Sequence, residues 1–193
     1  MALTKTPVSI SNTALLYIGA DEITAFNDAS REAKICNQIY ETTKVSMLQK
    51  FPWRFSLRTR QLSKLATPPA EIQNFRFENA FLIPAESMRI IRTDQPSDDY
   101  IVVGENIFSN EDEIRVEMQI DPDESTLPDY FINALEFELA ARLAMALTDD
   151  GGKYQIFQQK ADLELARAKN IDSQEQPVLS PDGSVFATTS VRV

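Results

Sequence analysis

Apolar residues recur every three or four positions in four stretches of the chain, which is the spacing of one face of an α-helix. The first stretch follows Thr6 and Pro7, a favourable N-cap and first helical residue, and it stops at Gly19. Gly151 and Gly152 separate the last two stretches, which are predicted to form an αα-hairpin. The predicted helices cover about residues 7–18, 29–51, 128–148 and 153–170.

Between the second and third helices the apolar period changes from about 3.6 to about 2, which indicates β-strands. Phe55, Leu57 and Thr59 alternate with polar residues, as in one half-buried strand. Residues 100–103 precede Gly104 and an apolar pair, so a hairpin is predicted there. The pattern therefore predicts a mainly helical α+β fold, a four-helix bundle with a small antiparallel β insertion over about residues 55–120.

The change of period falls on an aromatic segment, which we call the hinge: Phe51, Pro52, Trp53, Arg54 and Phe55. Pro52 removes a backbone donor and disfavours helix at the preceding residue, so the second helix is expected to end there. Trp53 is the chain's single tryptophan. Trp53 and Phe55 could stack on nucleic-acid bases, but packing in the core at the helix end is favoured over that alternative.

Two absences narrow the chemistry. The chain has no histidine, which removes imidazole bases and histidine-ligated zinc, and its five glycines fit no phosphate-binding motif. Cys36 lies in the apolar stripe of the second helix and is predicted to be a buried, inert thiol. A sequence resembling a calcium loop begins at Asp121 but has Thr126 in place of the glycine and Ile132 in place of the final acid. No catalytic, cofactor-binding or metal-binding residue is predicted.

Charge is divided unequally along the chain, whose net charge is −10. Residues 1–92 carry a net +4 and residues 93–193 a net −14. A solvated acidic surface explains this, but carboxylates also repel phosphates and suit the wall of a DNA conduit. The residues predicted to face such a channel, or a basic partner, are Asp98, Asp99, Glu111, Asp112, Glu113, Asp121, Asp123 and Glu124.

The last part of the chain, residues 171–193, is predicted to be an extended arm outside a single domain of residues 1–170. It has no helical period, yet it is more apolar than an ordinary terminal tail. A frayed terminus is one interpretation, and an arm that adds to another subunit is the other. The arm residues are Pro177, Val178, Leu179, Val185, Phe186 and Val191.

The N-terminal thirty residues contain no apolar run long enough for a signal peptide, and no segment is long enough to span a bilayer. With one cysteine, the composition suits a reducing environment, and synthesis in a cytoplasm is expected.

Several short motifs recur in an order that is typical of one family. They are Asn12, Ala14, Leu15, Ile18 and Gly19; Ala33, Tyr40 and Leu48; Trp53, Arg54 and Phe55; Leu82, Pro84, Met88, Arg89 and Ile90; Tyr100, Val102 and Gly104; and Phe131, Ala134, Leu135, Leu139, Ala140, Leu143, Ala144 and Leu147. Through these residues the chain, over positions 10–170, resembles the tail tubular protein A family of podoviruses and related head-to-tail adaptor (connector) proteins of tailed phages.

The resemblance implies a structural virion protein rather than an enzyme. Such proteins form a ring, commonly a dodecamer, that binds the portal, joins it to a tail nozzle or tail tube protein and lines the channel for DNA ejection. It implies a location at the head-tail junction of the virion, no cofactor, no membrane, and a C-terminal arm that orders on the portal or on a neighbouring subunit. The chain departs from the family at Gln119 and Ile120, where a strand end bearing tyrosine is expected, so the sheet register stays open.

Two other functions stay open from the residues alone. A carboxylate-dependent hydrolase of a cell-wall polymer would need two placed acids, and no pair among the 29 acidic residues stands out. A cytosolic interaction or regulatory protein that binds nucleic acid would usually have a basic face, whereas the sequence pI is about 4.6.

Overall fold

The computed structural model describes residues 5–67, 76–148 and 150–174. Its four helices begin and end near the positions that the apolar pattern predicts. Helix α1 is capped by Thr6, whose hydroxyl accepts from the Ser9 N–H, and it ends at Gly19 with a left-handed φ of 77°. The helices are α1 (Pro7–Ile18), α2 (Arg31–Gln49), α3 (Asp129–Leu143), which continues as a π turn (Ala144–Thr148), and α4 (Gly151–Gln174).

The expected four-helix bundle is wrong. The chain is 50% helical and 20% strand, an α+β mixture with two antiparallel sheets. Helices α1, α2 and α4 each pack against α3, whose buried side chains point in all directions around its axis. A helix that is apolar around its whole circumference becomes the centre of a cluster rather than one corner of a bundle. The β part is likewise a second half of the fold, not a small insertion.

Seven strands form the two sheets. The first sheet has the order β1-β7-β4 and the second the order β2-β3-β6-β5, with every neighbouring pair antiparallel. The predicted hairpin joins β5 to β6 through a two-residue turn in which Gly104 has a φ of 57°. The strands are β1 (Leu57–Gln61), β2 (Ser63–Lys64), β3 (Asn79–Leu82), β4 (Ser87–Thr93), β5 (Tyr100–Val103), β6 (Asn106–Ser109) and β7 (Arg115–Ile120).

The predicted alternation across Phe55, Leu57 and Thr59 does not describe one half-buried strand. Phe55 lies in a 3-10 turn, Arg54–Ser56, and packs against the helical core. In β1 only Leu57 is partly buried, because this strand is an edge of its sheet and its other four residues are exposed.

Three groups of buried residues organise the molecule, the smallest of which is Phe77, Ala80 and Phe108. The helical core gathers the inner faces of all four helices around α3, together with Trp53 and the partly buried Met88 of β4. A second cluster draws on both sheets: Leu62, Phe81, Ile107, Ile114 and Val116. Met88 therefore links the sheets to the helices at the same end as the hinge.

Candidate assembly surfaces and the aromatic hinge

The hinge is built around a fully buried Trp53. Its indole N–H donates to the Met47 carbonyl at 3.0 Å, in the last turn of α2, where that carbonyl also accepts the Lys50 N–H at 3.3 Å. Its ring lies 5.1 Å from that of Phe51 and 5.1 Å from that of Phe131, both near edge-to-face. Phe55 in turn lies 5.0 Å from Phe131. These contacts make Trp53 a packing residue between α2 and α3, with no face left open for a base.

Gln119, where the family resemblance calls for a different strand end, is a buried connector. Its side-chain amide nitrogen donates to the Leu48 and Phe51 carbonyls at 2.9 and 3.0 Å and lies 3.0 Å from the Ser56 hydroxyl. Its amide oxygen accepts from Arg89 Nε at 2.8 Å. A single glutamine in a strand carries no sequence signal of burial, so sequence reasoning could not assign it this role.

Asp172 holds the far end of α4 against the hinge. Its carboxylate is fully buried and accepts the Arg54 N–H, 3.2 Å from each oxygen, and the Tyr130 hydroxyl at 2.8 Å. Helix α4 continues to Gln174, four residues past the predicted end of the domain at residue 170. The side chain that anchors the last turn of α4 lies beyond it. The six predicted arm residues lie outside the described part of the chain.

The structure divides the eight predicted acidic residues into two groups. Tyr100 pairs with Ser109, so the chain just before β5 and just after β6 meets at the open end of one hairpin. Five exposed acids lie there, of which Asp112 pairs with Lys64 at 2.8 Å: Asp98, Asp99, Glu111, Asp112 and Glu113. We call this group the hairpin acidic end.

The second group, Asp121, Asp123 and Glu124, follows β7. Lys44 of α2 is 4% exposed and pairs with Asp121 at 2.8 Å and with Glu124 at 2.9 Å. Burial opposes the charge of Lys44, but the two carboxylates outweigh it and raise its pKa. These two acids therefore hold α2 to the β7–α3 connection, and Asp123 remains exposed.

Two further titratable groups are buried, and neither forms an ion pair with a cation among the residues that the structure describes. Burial raises the pKa of Glu136 to about 6, although hydroxyl groups of Thr13 and Tyr17 hydrogen-bond its carboxylate. Burial, aided by Glu32, raises the pKa of the Cys36 thiol to about 11, so the predicted inert thiol fits its position. Across residues 5–67, 76–148 and 150–174, no group of three or more acidic or cysteine side chains is placed to hold a metal ion.

The outer face of α4 carries an apolar stripe. Ile156, Leu163 and Ile171 are 55%, 52% and 44% exposed and lie seven and eight residues apart, which puts them on one side of the helix. The inward side holds Ala161 and Ala168. Nothing in the described chain covers the three side chains, and we call them the α4 stripe.

Apolar side chains are also exposed on both faces of the second sheet, since consecutive residues of a strand point to opposite faces. Ile101 and Val102 of β5 are 44% and 45% exposed, and Leu82 at the end of β3 is 46% exposed. Strand β5 is an edge of its sheet, so its outer backbone groups have no strand partner within the described residues.

Comparison with known proteins adds no assignment: no family model matches the chain, and no curated protein matches it. None of the described helices is long and apolar enough to cross a membrane.

Proposed function

We propose that this protein is a head-to-tail adaptor of a tailed phage, which assembles as a ring, of twelve copies by family resemblance, between the portal and the tail. The α4 stripe is the observation that carries the proposal. A helix of 24 residues is about 36 Å long, and three large apolar side chains are spread along most of it. Large exposed apolar surfaces on a folded domain mark contacts with other chains.

Ring assembly needs two different surfaces on each subunit, because a repeated head-to-tail contact joins unlike patches around a closed axis. The α4 stripe and the β5 edge belong to different halves of the fold and supply such a pair. A protein that bound itself through one patch would form a two-fold dimer instead.

The hairpin acidic end suits the wall of a DNA channel. It places five carboxylates together, where Lys64 pairs with Asp112 and the Arg76 guanidinium donates to the backbone carbonyl of Asp98. Phosphates are repelled from such a surface, so DNA moves past without binding. The basic side chains of β1 and β2 form contacts within the subunit. Arg58 donates to the Phe55 and Leu57 carbonyls, and Arg60 and Lys64 pair with carboxylates.

A charge placed in the α4 stripe tests the interface. Leu163→Asp is expected to abolish co-sedimentation with the cognate portal. Its melting temperature should stay within about 2 °C of the wild-type value, because substitutions of exposed residues usually change stability little. Gln155→Asp, exposed on the same helix outside the stripe, is the matched control and should bind as the wild type does. If the Leu163→Asp variant binds the portal as the wild type does, the α4 stripe is not part of the interface.

A further inference from the structure

The face of α4 that carries the stripe also carries two basic residues. Lys160 and Arg167 are exposed and, at about 100° per residue, lie on the same side of the helix as the three apolar side chains. Arg167 pairs with Glu164 in its own helix, and exposed pairs of this kind hold their partners weakly. The ammonium group of Lys160 lies 5.7 Å from the centroid of the Phe157 ring. We call this face the α4 ridge: Ile156, Lys160, Leu163, Arg167 and Ile171.

A groove of complementary shape lies between the two sheets. Strands β1 and β2 are separated only by Leu62, so the sheets are joined along that side, whereas β4 and β5 are each the last strand of their sheet and are not paired with one another. The groove between β4 and β5 has a volume of about 630 Å³. Apolar grooves receive amphipathic helices through side chains at i and i+7, which is the spacing of Ile156 and Leu163. The apolar lining of the groove comes from Leu82, Ile83, Pro84, Met88, Ile90 and Val102.

Acidic residues flank this β4–β5 groove on the β5 side. Asp99 immediately precedes β5, and Glu105, which follows the strand, lines the groove. The basic residue on the opposite wall, Arg89, donates to Gln119 within the subunit. Strand β5 has four residues and is about 13 Å long, and the two cations of the ridge lie about 10 Å apart along the helix axis. Their long side chains span the difference, so a ridge laid along β5 brings both cations to acids.

The same charges oppose the pairing of like surfaces. Two copies of α4 packed antiparallel about a two-fold axis at the middle of the ridge would place Lys160 of one copy opposite Arg167 of the other. Two copies of β5 paired antiparallel would bring Asp99 of one copy towards Glu105 of the other. Like charges meet in both arrangements, whereas a ridge in a groove joins opposite charges. The charge pattern therefore favours contact between unlike surfaces of two copies.

We propose that the α4 ridge of one copy packs into the β4–β5 groove of a second copy, with Lys160 and Arg167 facing Asp99 and Glu105. The inference rests on the proposed function in taking the α4 stripe as an assembly surface, and it adds the surface that receives the stripe and the charges that direct it. Because the two surfaces differ, each pair of copies keeps one free ridge and one free groove, and the contact can repeat from copy to copy.

Sedimentation equilibrium of the full-length chain, without any portal, tests the contact through two charge-reversed variants. The helix variant carries Lys160→Glu and Arg167→Glu, and the groove variant carries Asp99→Lys and Glu105→Lys. Each variant alone should associate at least about tenfold more weakly than the wild type, because two attractions become repulsions. An equimolar mixture should associate as the wild type does, because the reversed ridge of one variant meets the reversed groove of the other.

A general attraction between oppositely charged proteins does not explain recovery in the mixture. Both variants remain net negative, since the chain's charge of −10 changes by four in either direction. Lys34→Glu, at an exposed site on α2, is the control for added negative charge and should associate as the wild type does. All the substituted residues are exposed, so the melting temperatures should stay within about 2 °C of the wild-type value.

A mixture that associates as weakly as its two components would overturn the contact, and so would a reversed variant that associates like the wild type. A wild type that is monomeric up to about 1 mM, or that stops at a two-fold dimer, would overturn it as well. The adaptor proposal fails separately. Copies that associate in this way but leave portal particles bare would contradict only that proposal, and portal-bound rings formed by the groove variant alone would contradict only the contact.

Discussion

The side-chain amide nitrogen of Gln119 lies 2.9 Å from the carbonyl oxygen of Leu48 and donates a hydrogen bond to it. Through this bond, and a second one to Phe51, the central strand of the first sheet holds the end of α2. The carbonyls at a helix end need partners, and here a strand residue supplies them.

Gln119→Leu is expected to destabilise the protein by about 2–4 kcal/mol, because the Leu48 and Phe51 carbonyls, the Ser56 hydroxyl and the Arg89 side chain each lose a hydrogen bond. Urea unfolding followed by the fluorescence of Trp53 measures the effect next to the changed residue. Gln61→Leu, on the exposed edge of β1, is the control and should change stability little. Equal stability of the two variants would mean that the amide network contributes nothing.

Trp53→Ala is expected to lower the free energy of unfolding by about 3–5 kcal/mol, because the substitution leaves a cavity in place of a large buried aromatic side chain. Trp53→Phe keeps most of the packing but removes the indole donor to the Met47 carbonyl, which then relies on the Lys50 N–H at 3.3 Å, so a smaller loss of stability of about 1–2 kcal/mol is expected. Thermal unfolding followed by circular dichroism compares the two without relying on tryptophan fluorescence. Wild-type stability of the Trp53→Ala variant, with loss of DNA ejection alone, would show that Trp53 acts on a ligand instead.

Glu136 and Glu138 are both buried on α3 but should respond oppositely to amide substitution. Glu136 has a raised pKa, so the folded state binds its proton more tightly, and stability falls as pH rises from about 4.5 to about 6. Glu136→Gln is therefore expected to stabilise the protein at pH 7 by about 1–2 kcal/mol, and the gain should vanish near pH 4. Urea titrations at both pH values measure it.

Glu138 is the matched comparison. Its carboxylate pairs with Lys50 at 3.2 Å and with Arg142 at 3.1 Å, so Glu138→Gln should destabilise the protein at pH 7. A change of stability in the same direction for both variants at pH 7 would contradict the assignment of Glu136 as a buried acid that lacks an ion pair.

Lys44→Met is expected to cost about 3 kcal/mol at pH 7, because Asp121 and Glu124 lose their shared cation. With a raised pKa, the contribution of Lys44 is complete below the ordinary lysine pKa of 10.5 and is lost as pH rises through the raised value. Lys34→Met on the same helix is the control, and an equally large, pH-independent loss there would argue against the ion-pair explanation.

The helices were predictable because their signals are local. Thr6, Pro7 and Gly19 act on the backbone within one turn, and they mark both ends of α1 correctly. The end of α4 was not predictable from period alone, since its last turn is held by Asp172 through contacts with residues far along the chain. A carboxylate that accepts a distant backbone N–H leaves no trace in hydrophobic spacing.

The arrangement of elements was harder to predict for the same reason. The sequence of α3 shows apolar residues all round, but it does not show whether three helices or a sheet covers them. Trp53 was assigned correctly to the core, whereas Gln119, which bonds the neighbouring Phe51 carbonyl, was treated as a departure from the family pattern. The acidic residues appeared as one set along the chain, and folding separates those at the hairpin from those around Lys44.

The most direct test of the adaptor proposal is negative-stain microscopy of the purified protein mixed with its cognate portal particles. The account predicts rings that cap one end of the portal, with a rotational symmetry visible in end views, and their loss with Leu163→Asp but not with Gln155→Asp. Portal particles that stay bare at every protein concentration and ionic strength, with the protein remaining monomeric, would contradict it.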